Sequence, residues 1–283
     1  MRRDNTSVGA QIRYAEYYNM VEIFDELYLA SQENRTEELD LYSIITNSNN
    51  ILLAYRTIKS NVGSNTAGVD LKTIKHFKKF TETEIVEHVR KRLANYKPQT
   101  VRRVEIPKPN GSKRPLGIPT ISDRLIQQCI KQVIEPIAEA KFYKHSYGFR
   151  PLRSARHAIA RSQFLINKNL LRYVVDIDIK GFFDNVNHNR LIKQVYGIGV
   201  KDTRVTAIIS KMLKAPIAGI GTPNKGTPQG GILSPLLSNI VLNDLDQWIN
   251  TQWEEFPSRH SYLVNRTKFR ALKNTKLKEM FIV

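Results

Sequence analysis

The 283-residue sequence contains a single cysteine, Cys129, so it forms no intramolecular disulfide and fits a reducing, cytoplasmic setting. That cysteine sits in an apolar helical pattern, which makes it a core thiol rather than a nucleophile. No apolar stretch reaches the roughly 18 residues that a membrane span needs, so a membrane is not expected as a partner. No hydrophobic run follows the basic pair Arg2-Arg3, which excludes a secretory signal by its pattern. The six histidines show no metal-ligand spacing, and no phosphate-loop lysine motif occurs. Repeats and low-complexity tracts are absent too.

Acidic residues are scarce relative to basic ones. With 26 Asp and Glu against 44 Lys and Arg, the formal net charge is +18. Such an excess favours polyanions through phosphate pairing and counterion release, so nucleic acid is the leading partner class. Ribosomal, membrane-surface and cationic secreted proteins share that excess. The charge is concentrated in two runs. Between His88 and Arg114 stand Arg90, Lys91, Arg92, Lys97, Arg102, Arg103, Lys108, Lys113 and Arg114, against the single acid Glu105. Residues 259–278 hold seven Lys or Arg and no acid. Such runs are commonly solvated faces, and they also suit tracks for structured RNA. Tyr96, Tyr262 and Phe269 are candidates for stacking on bases.

Hydropathy periodicity predicts helices over 11–31, from near Asn50 to Ile58, and after the capping box of Thr81 and Glu84, where Ile85, Val89 and Leu93 share a face. Pro98 is expected to end the last of these. Residues 104–106 and 116–118 read as a hairpin with Asn110-Gly111 in its turn. A helix follows Ser122-Asp123 and places Leu125, Ile126, Cys129, Ile130, Val133 and Ile134 inward, with Pro136 weakening its end. Residues 171–178 alternate as a strand does, Leu171, Tyr173, Val175 and Ile177 against Arg172, Val174, Asp176 and Asp178. Helices are expected at 190–196, 202–214 and 234–248. Without a regular βαβ alternation, this order defines the α+β class.

Two segments stand out chemically. In VVDIDIKGFFDNV, residues 174–186, an apolar strand ends in Asp178, which brings a carboxylate to the rim of a sheet. Hard oxygen donors of that kind anchor Mg²⁺ in two-metal phosphoryl transfer, and they equally cap turns. In KGTPQGGILSPLLSN, residues 225–239, Gly230 and Gly231 allow close backbone approach. Ser234 suits a helix cap and Pro235 a first helical turn. Taken alone, this is a loop-to-helix junction of an ordinary kind.

Together the two segments resemble the first palm motif and the glycine-rich motif of reverse transcriptases, in the form encoded by group II introns. Three upstream segments agree in order: GSNTAGVD (63–70) with the N-terminal extension loop, IPKPNGSKRPLGIP (106–119) with the fingers hairpin, and YGFRP (147–151) with the segment after it. The resemblance implies a right-hand polymerase fold, with extension and fingers over 1–165 and palm over 166–283. It implies copying of RNA into DNA, with Mg²⁺ as cofactor and with dNTPs, an RNA template carrying a DNA primer, the intron RNA and a DNA target as partners.

By the same resemblance Asp178 is the catalytic carboxylate and binds Mg²⁺ with the Ile179 carbonyl. Phe183 lies under the incoming sugar, where a ring excludes a 2′-hydroxyl. Lys108 and Arg114 grip the triphosphate, Gln229 and Gly230 line the nucleotide pocket, and Arg150 contacts the template. Phe182 is read as core and Asp184 as a structural cap.

Departures from the family pattern also carry expectations. Leu71 and Leu152 stand where members commonly have glycine. The family's Tyr-X-Asp-Asp turn does not occur in the sequence, which ends in the apolar Phe281-Ile282-Val283, and no thumb follows. One carboxylate cannot hold two closely spaced cations, so this chain alone is expected not to polymerise, and an exposed palm surface would favour a homodimer. The alternatives are a splicing maturase that binds RNA without polymerising, and another bacterial reverse transcriptase of the retron or diversity-generating type.

Overall fold

The structure, a computed structural model, describes residues 13–107, 111, 113–169, 171 and 173–255. Lys108, Asn110, Arg172, the basic run 259–278 with Tyr262 and Phe269, and residues 281–283 lie outside the described residues. The described residues up to Asp246 form one compact unit, and those from Gln247 onward form a second.

The first unit is built around one long helix. Thr120 caps helix α6 (Ile121–Glu139) by accepting from the Asp123 amide, and Pro136 lies inside the helix without ending it. Leu125, Ile126, Cys129, Ile130, Val133 and Ile134 are all buried, as the periodicity predicts. Against this helix pack α1 (Val21–Gln32), α2 (Leu41–Ile45), α3 (Ser48–Lys59) and α5 (Glu82–Ala94). Two polar side chains inside the core pair with each other and with backbone: Asn50 Nδ2 donates to the Ile45 and Cys129 carbonyls, and Gln132 Nε2 donates to Asn50 Oδ1 at 2.6 Å. Burial pushes the Cys129 thiol far above its ordinary pKa, which leaves it an inert core group.

The capping box forms as expected. The Thr81 amide donates to Glu84 Oε2 at 2.7 Å, and the Glu84 amide donates to Thr81 Oγ1. The helix ends at Ala94, ahead of Pro98, with Asn95 as its C-terminal cap. The helix expected over 11–31 is interrupted: residues 13–17 are helical, Asn19 takes a φ of 51°, and α1 begins at Val21. A short helix α4 (Ile74–Phe77) precedes the capping box.

Strands β1 (Arg102–Pro107) and β2 (Lys113–Ile118) pair antiparallel, with Val104 opposite Leu116 and Ile106 opposite Arg114. The root of the hairpin is tied down. The Val101 amide donates to the Pro216 carbonyl, and the buried Asp123 accepts from Arg92, the Tyr96 hydroxyl and the Gln99 amide. Burial raises the Asp123 carboxyl's pKa, an effect that these donors oppose. Tyr96 is 2% exposed, so it cannot stack on a base as the sequence suggests.

Helix α7 (Ala155–Asn167) is followed by α8 (Phe182–Asn185), α9 (His188–Gly197), α10 (Thr203–Leu213) and α11 (Ser234–Ile249). Asn187 and Asp202 cap α9 and α10, and α10 packs on α9 and α2. One apolar core runs from Leu27 to Ile240.

The strand expected at 171–178 is not formed. Residues 173–179 pair with no neighbour among the described residues, and Tyr173 and Val175 are 94% and 80% exposed. The reason is physical: a strand is held by ladder hydrogen bonds, and none of the described residues runs alongside this one. Its apolar face, Tyr173, Val175 and Ile177, is therefore left exposed. Helix α7 just before it carries no buried residue either.

Two loops hold leucine where the backbone calls for glycine. Leu71 and Leu152 have φ of 58° and 57° and are 81% and 69% exposed. A Cβ in the left-handed region costs about 1–2 kcal/mol, part of which glycine returns through its freer unfolded chain. Leu71→Gly and Leu152→Gly are each expected to stabilise the protein by roughly 0.5–1 kcal/mol in urea titrations. An unchanged or lowered midpoint would show that neither loop is strained.

Candidate active site

Three elements meet at Gln229. Strand β2 arrives from the hairpin, where the Gly117 amide donates to the Gln229 carbonyl at 2.6 Å and Arg114 Nε donates to Gln229 Oε1 at 2.9 Å. From the other side comes the segment that holds α8. The Thr227 amide donates to the Phe183 carbonyl and the Gly226 amide to the Val186 carbonyl, both at 2.7 Å. His188 Nε2 lies 2.7 Å from the Gly226 carbonyl oxygen, and Lys225 Nζ donates to Asn185 Oδ1. Gln229 Nε2 donates to Asp184 Oδ1 at 3.2 Å.

This convergence needs its glycines. At Gly230, whose φ is 108°, an added Cβ would lie 2.4 Å from the Gly117 carbonyl oxygen. At Gly226, with φ of 88°, it would lie 3.0 Å from the Phe183 carbonyl oxygen. The close approach foreseen for Gly230 and Gly231 is thus made, but to the chain's own backbone and side chains: hairpin backbone at Gly230, Ser234 Oγ at Gly231. Ser234 is the first residue of α11, and its hydroxyl donates to the Pro228 carbonyl at 2.7 Å, closing the turn instead of capping the helix.

Asp178 and Ile179 are exposed, and no hydrogen bond or ion pair among the described residues occupies the Asp178 carboxylate. Among the described residues there is no group of three His, Cys, Asp or Glu that could hold a metal ion. Phe182 packs on the core as the sequence suggests, while Phe183 is half-buried with its ring 5.7 Å from that of Phe182. Asp184 is not a cap: Gly181 holds the N-cap position of α8 without a side-chain bond, and the Asp184 carboxylate faces Gln229.

Arg150 departs most from its expected role. Its side chain is 2% exposed and grips Glu139 at 2.7–3.0 Å while donating to the Tyr143 and Ser146 carbonyls. The guanidinium therefore fixes the turn that follows α6, and the surface at that turn comes from its exposed neighbours Phe149 and Leu152. The basic run 88–114 is likewise partly structural. Arg92 pairs with the buried Asp123 and Arg90 donates to the Thr46 carbonyl, which leaves Lys91 and Lys97 among the exposed cations.

Two contributors escaped sequence reasoning. Arg124 is buried and donates to the Pro119, Gly63 and Thr66 carbonyls, pegging the loop around 62–66 onto the hairpin's exit. Gly117 is the close-approach point of β2, and a glycine inside a strand is the signal that could have found it.

The Arg114 guanidinium of the hairpin is thus bonded to the glycine-rich turn, and the same turn holds the Phe183–Val186 segment that follows the exposed Asp178. Residues 106–265 match the family model described as "Reverse transcriptase (RNA-dependent DNA polymerase)", more than half of the chain. "Protein YkfC" of Escherichia coli (strain K12) is 38% identical over 223 residues, covering 75% of this chain and 58% of that protein. "Group II intron-encoded protein LtrA" of Lactococcus lactis subsp. cremoris is 38% identical over 232 residues, covering 80% of this chain and 38% of that protein. A chain of the solved "Partial Cas6-RT-Cas1--Cas2 complex" matches with a TM-score of 0.46 and 25% identity, over 73% of this chain and 34% of that one. The chain belongs to the reverse transcriptase family, in its group II intron-encoded form, and has the α+β fingers-palm fold of that family. It spans 58% and 38% of the length of the two curated relatives.

Proposed function

We propose that this chain is the extension, fingers (1–165) and palm (166–283) of an RNA-directed DNA polymerase that also binds its intron RNA as a maturase. The observation that carries the reading is the junction at Gln229, where Arg114 of the hairpin, the glycine-rich turn and the Phe183–Asp184 pair are joined by hydrogen bonds. A triphosphate entering there meets the Arg114 guanidinium, which neutralises the leaving group, and Lys108 is proposed to assist it. The Phe183 ring lies beside the sugar and selects against a 2′-hydroxyl. Gln229 and Gly230 form the wall of the nucleotide pocket. Template contact falls to the turn that Arg150 holds in place.

Asp178 and the Ile179 carbonyl have the hard-oxygen chemistry that suits Mg²⁺. Triphosphate oxygens, water and carboxylates beyond those described would complete the shell. When bound, the ions lower the charge on the transferring phosphoryl group. The chain's own residues hold the triphosphate, orient the sugar and leave the carboxylate free for a cation.

The test is Asp178→Ala in the full-length gene product, with cDNA synthesis and intron-RNA binding measured side by side. Loss of the carboxylate is expected to lower synthesis by roughly 1,000-fold or more, equivalent to about 4 kcal/mol of transition-state stabilisation, while RNA affinity stays within about two-fold. Undiminished synthesis would remove Asp178 from the catalytic site, whereas no synthesis by the wild type with RNA binding intact would leave an RNA-binding splicing maturase.

A further inference from the structure

We infer that Asp184 is a positioning residue for nucleotide selection: its carboxylate fixes the orientation of the Gln229 amide and, through it, the place of Arg114. This deepens the polymerase reading and rests on it.

A glutamine amide has one accepting and one donating end. At Gln229 both ends are committed, Oε1 accepting from Arg114 Nε at 2.9 Å and Nε2 donating to Asp184 Oδ1 at 3.2 Å. Turned over, the amide would set its oxygen against a carboxylate and its NH₂ against a guanidinium, losing both bonds and opposing like groups. Asp184 therefore makes one orientation far better than the other, and that orientation presents a carbonyl to the hairpin cation. The carboxylate is held in position by the backbone around it: the Asp184 amide donates to the Gly181 carbonyl, and the neighbouring Phe183 carbonyl accepts from Thr227. Among the described residues, neither the cap nor an ion pair claims it. Gln229 is anchored independently of its side chain through the Gly117 amide, so the side-chain relay adjusts Arg114 without carrying the docking of the hairpin. An incoming triphosphate draws Arg114 toward its own oxygens, and Gln229, still held by Asp184, stays oriented for the nucleotide.

The experiment is steady-state dNTP incorporation by the full-length gene product, comparing wild type with Asp184→Ala, Asp184→Asn, Gln229→Ala and the double variant Asp184→Ala/Gln229→Ala. Asp184→Ala is expected to raise the dNTP KM about ten-fold, the size of one charge-assisted hydrogen bond, and to change kcat less. Asp184→Asn keeps an accepting oxygen and is expected to stay within about three-fold of wild-type KM. In the Gln229→Ala background, loss of Asp184 is expected to add under about two-fold, because the two act as one unit. An unchanged KM in Asp184→Ala, an equal penalty in both backgrounds, or an Asn variant as impaired as the Ala variant would overturn the inference.

A second readout does not need catalysis. In ¹⁵N-glutamine-labelled protein, the Gln229 side-chain amide signal, assigned by its loss in Gln229→Ala, is expected to shift in Asp184→Asn. An unmoved signal overturns the inference even if incorporation proceeds. Failure of the wild type to incorporate nucleotide would instead defeat the polymerase reading, with the amide signal still deciding the role of Asp184.

Discussion

Gly230→Ala is expected to cost the protein roughly 3 kcal/mol or more and to lower nucleotide incorporation at least about 100-fold. Two penalties combine at this position. The backbone sits at a φ of 108°, which side chains other than hydrogen rarely adopt, and the new methyl would stand 2.4 Å from the Gly117 carbonyl oxygen. That oxygen belongs to a strand whose own amide bonds Gln229, so it cannot retreat without breaking the 2.6 Å bond that docks the hairpin. Gly219→Ala is the control. Its φ is 77°, but nothing lies within 4 Å of the added Cβ, so it carries backbone strain alone, about 1 kcal/mol. If the two variants melted alike and Gly230→Ala retained full incorporation, the hairpin-to-turn contact would not be part of the working site.

The second large effect is expected at Arg150. Arg150→Met should destabilise the protein by about 3–5 kcal/mol, because it strands a partner in a buried ion pair. Glu139, its side chain 14% exposed, would lose three hydrogen bonds, and the Tyr143 and Ser146 carbonyls would each lose one donor. The Arg150 guanidinium also lies 5.1 Å over the Phe142 ring, a contact that methionine does not replace in kind. Burial raises the Asp246 carboxyl's pKa while the Arg150 charge opposes it, so removing that charge pushes this carboxyl further up. Arg150→Lys is expected to restore little, since one ammonium cannot span a carboxylate and two carbonyls. Adding Glu139→Gln to Arg150→Met should recover part of the loss. A surface template contact predicts something else: an unchanged melting temperature with weakened RNA binding alone. Thermal unfolding and RNA affinity of the same variants separate the two roles.

The helical frame was legible in the sequence because its physics is local. The stripe Ile85, Val89, Leu93 and the Thr81–Glu84 box specify α5 within a few turns, and the apolar face from Leu125 to Ile134 specifies α6. Leu71 and Leu152, which stand where the resemblance expects glycine, occupy left-handed backbone, a conformation not foreseen from the sequence. What escaped depends on distant partners. The alternation at 171–178 marks a strand, but a strand exists only beside another, and none of the described residues supplies one. Helix α7 has no fully buried residue, and it was missed in the sequence. An arginine in a basic chain reads as a surface cation until Glu139, eleven positions earlier, is seen against it. Asp184 reads as a cap because its helical neighbours are near in sequence, whereas Gln229 is 45 positions away.

The most direct test asks whether Asp178, Gln229 and the hairpin surround the same metal-bound nucleotide. Full-length protein loaded with Fe²⁺ and a dNTP, then given ascorbate and peroxide, is cleaved where backbone lies next to the ion. The account predicts dNTP-dependent cuts at 178–179 with weaker ones at 114–117 and 229–230, all abolished by Asp178→Ala. Cuts confined to other regions, or cuts that persist without Asp178, would contradict it.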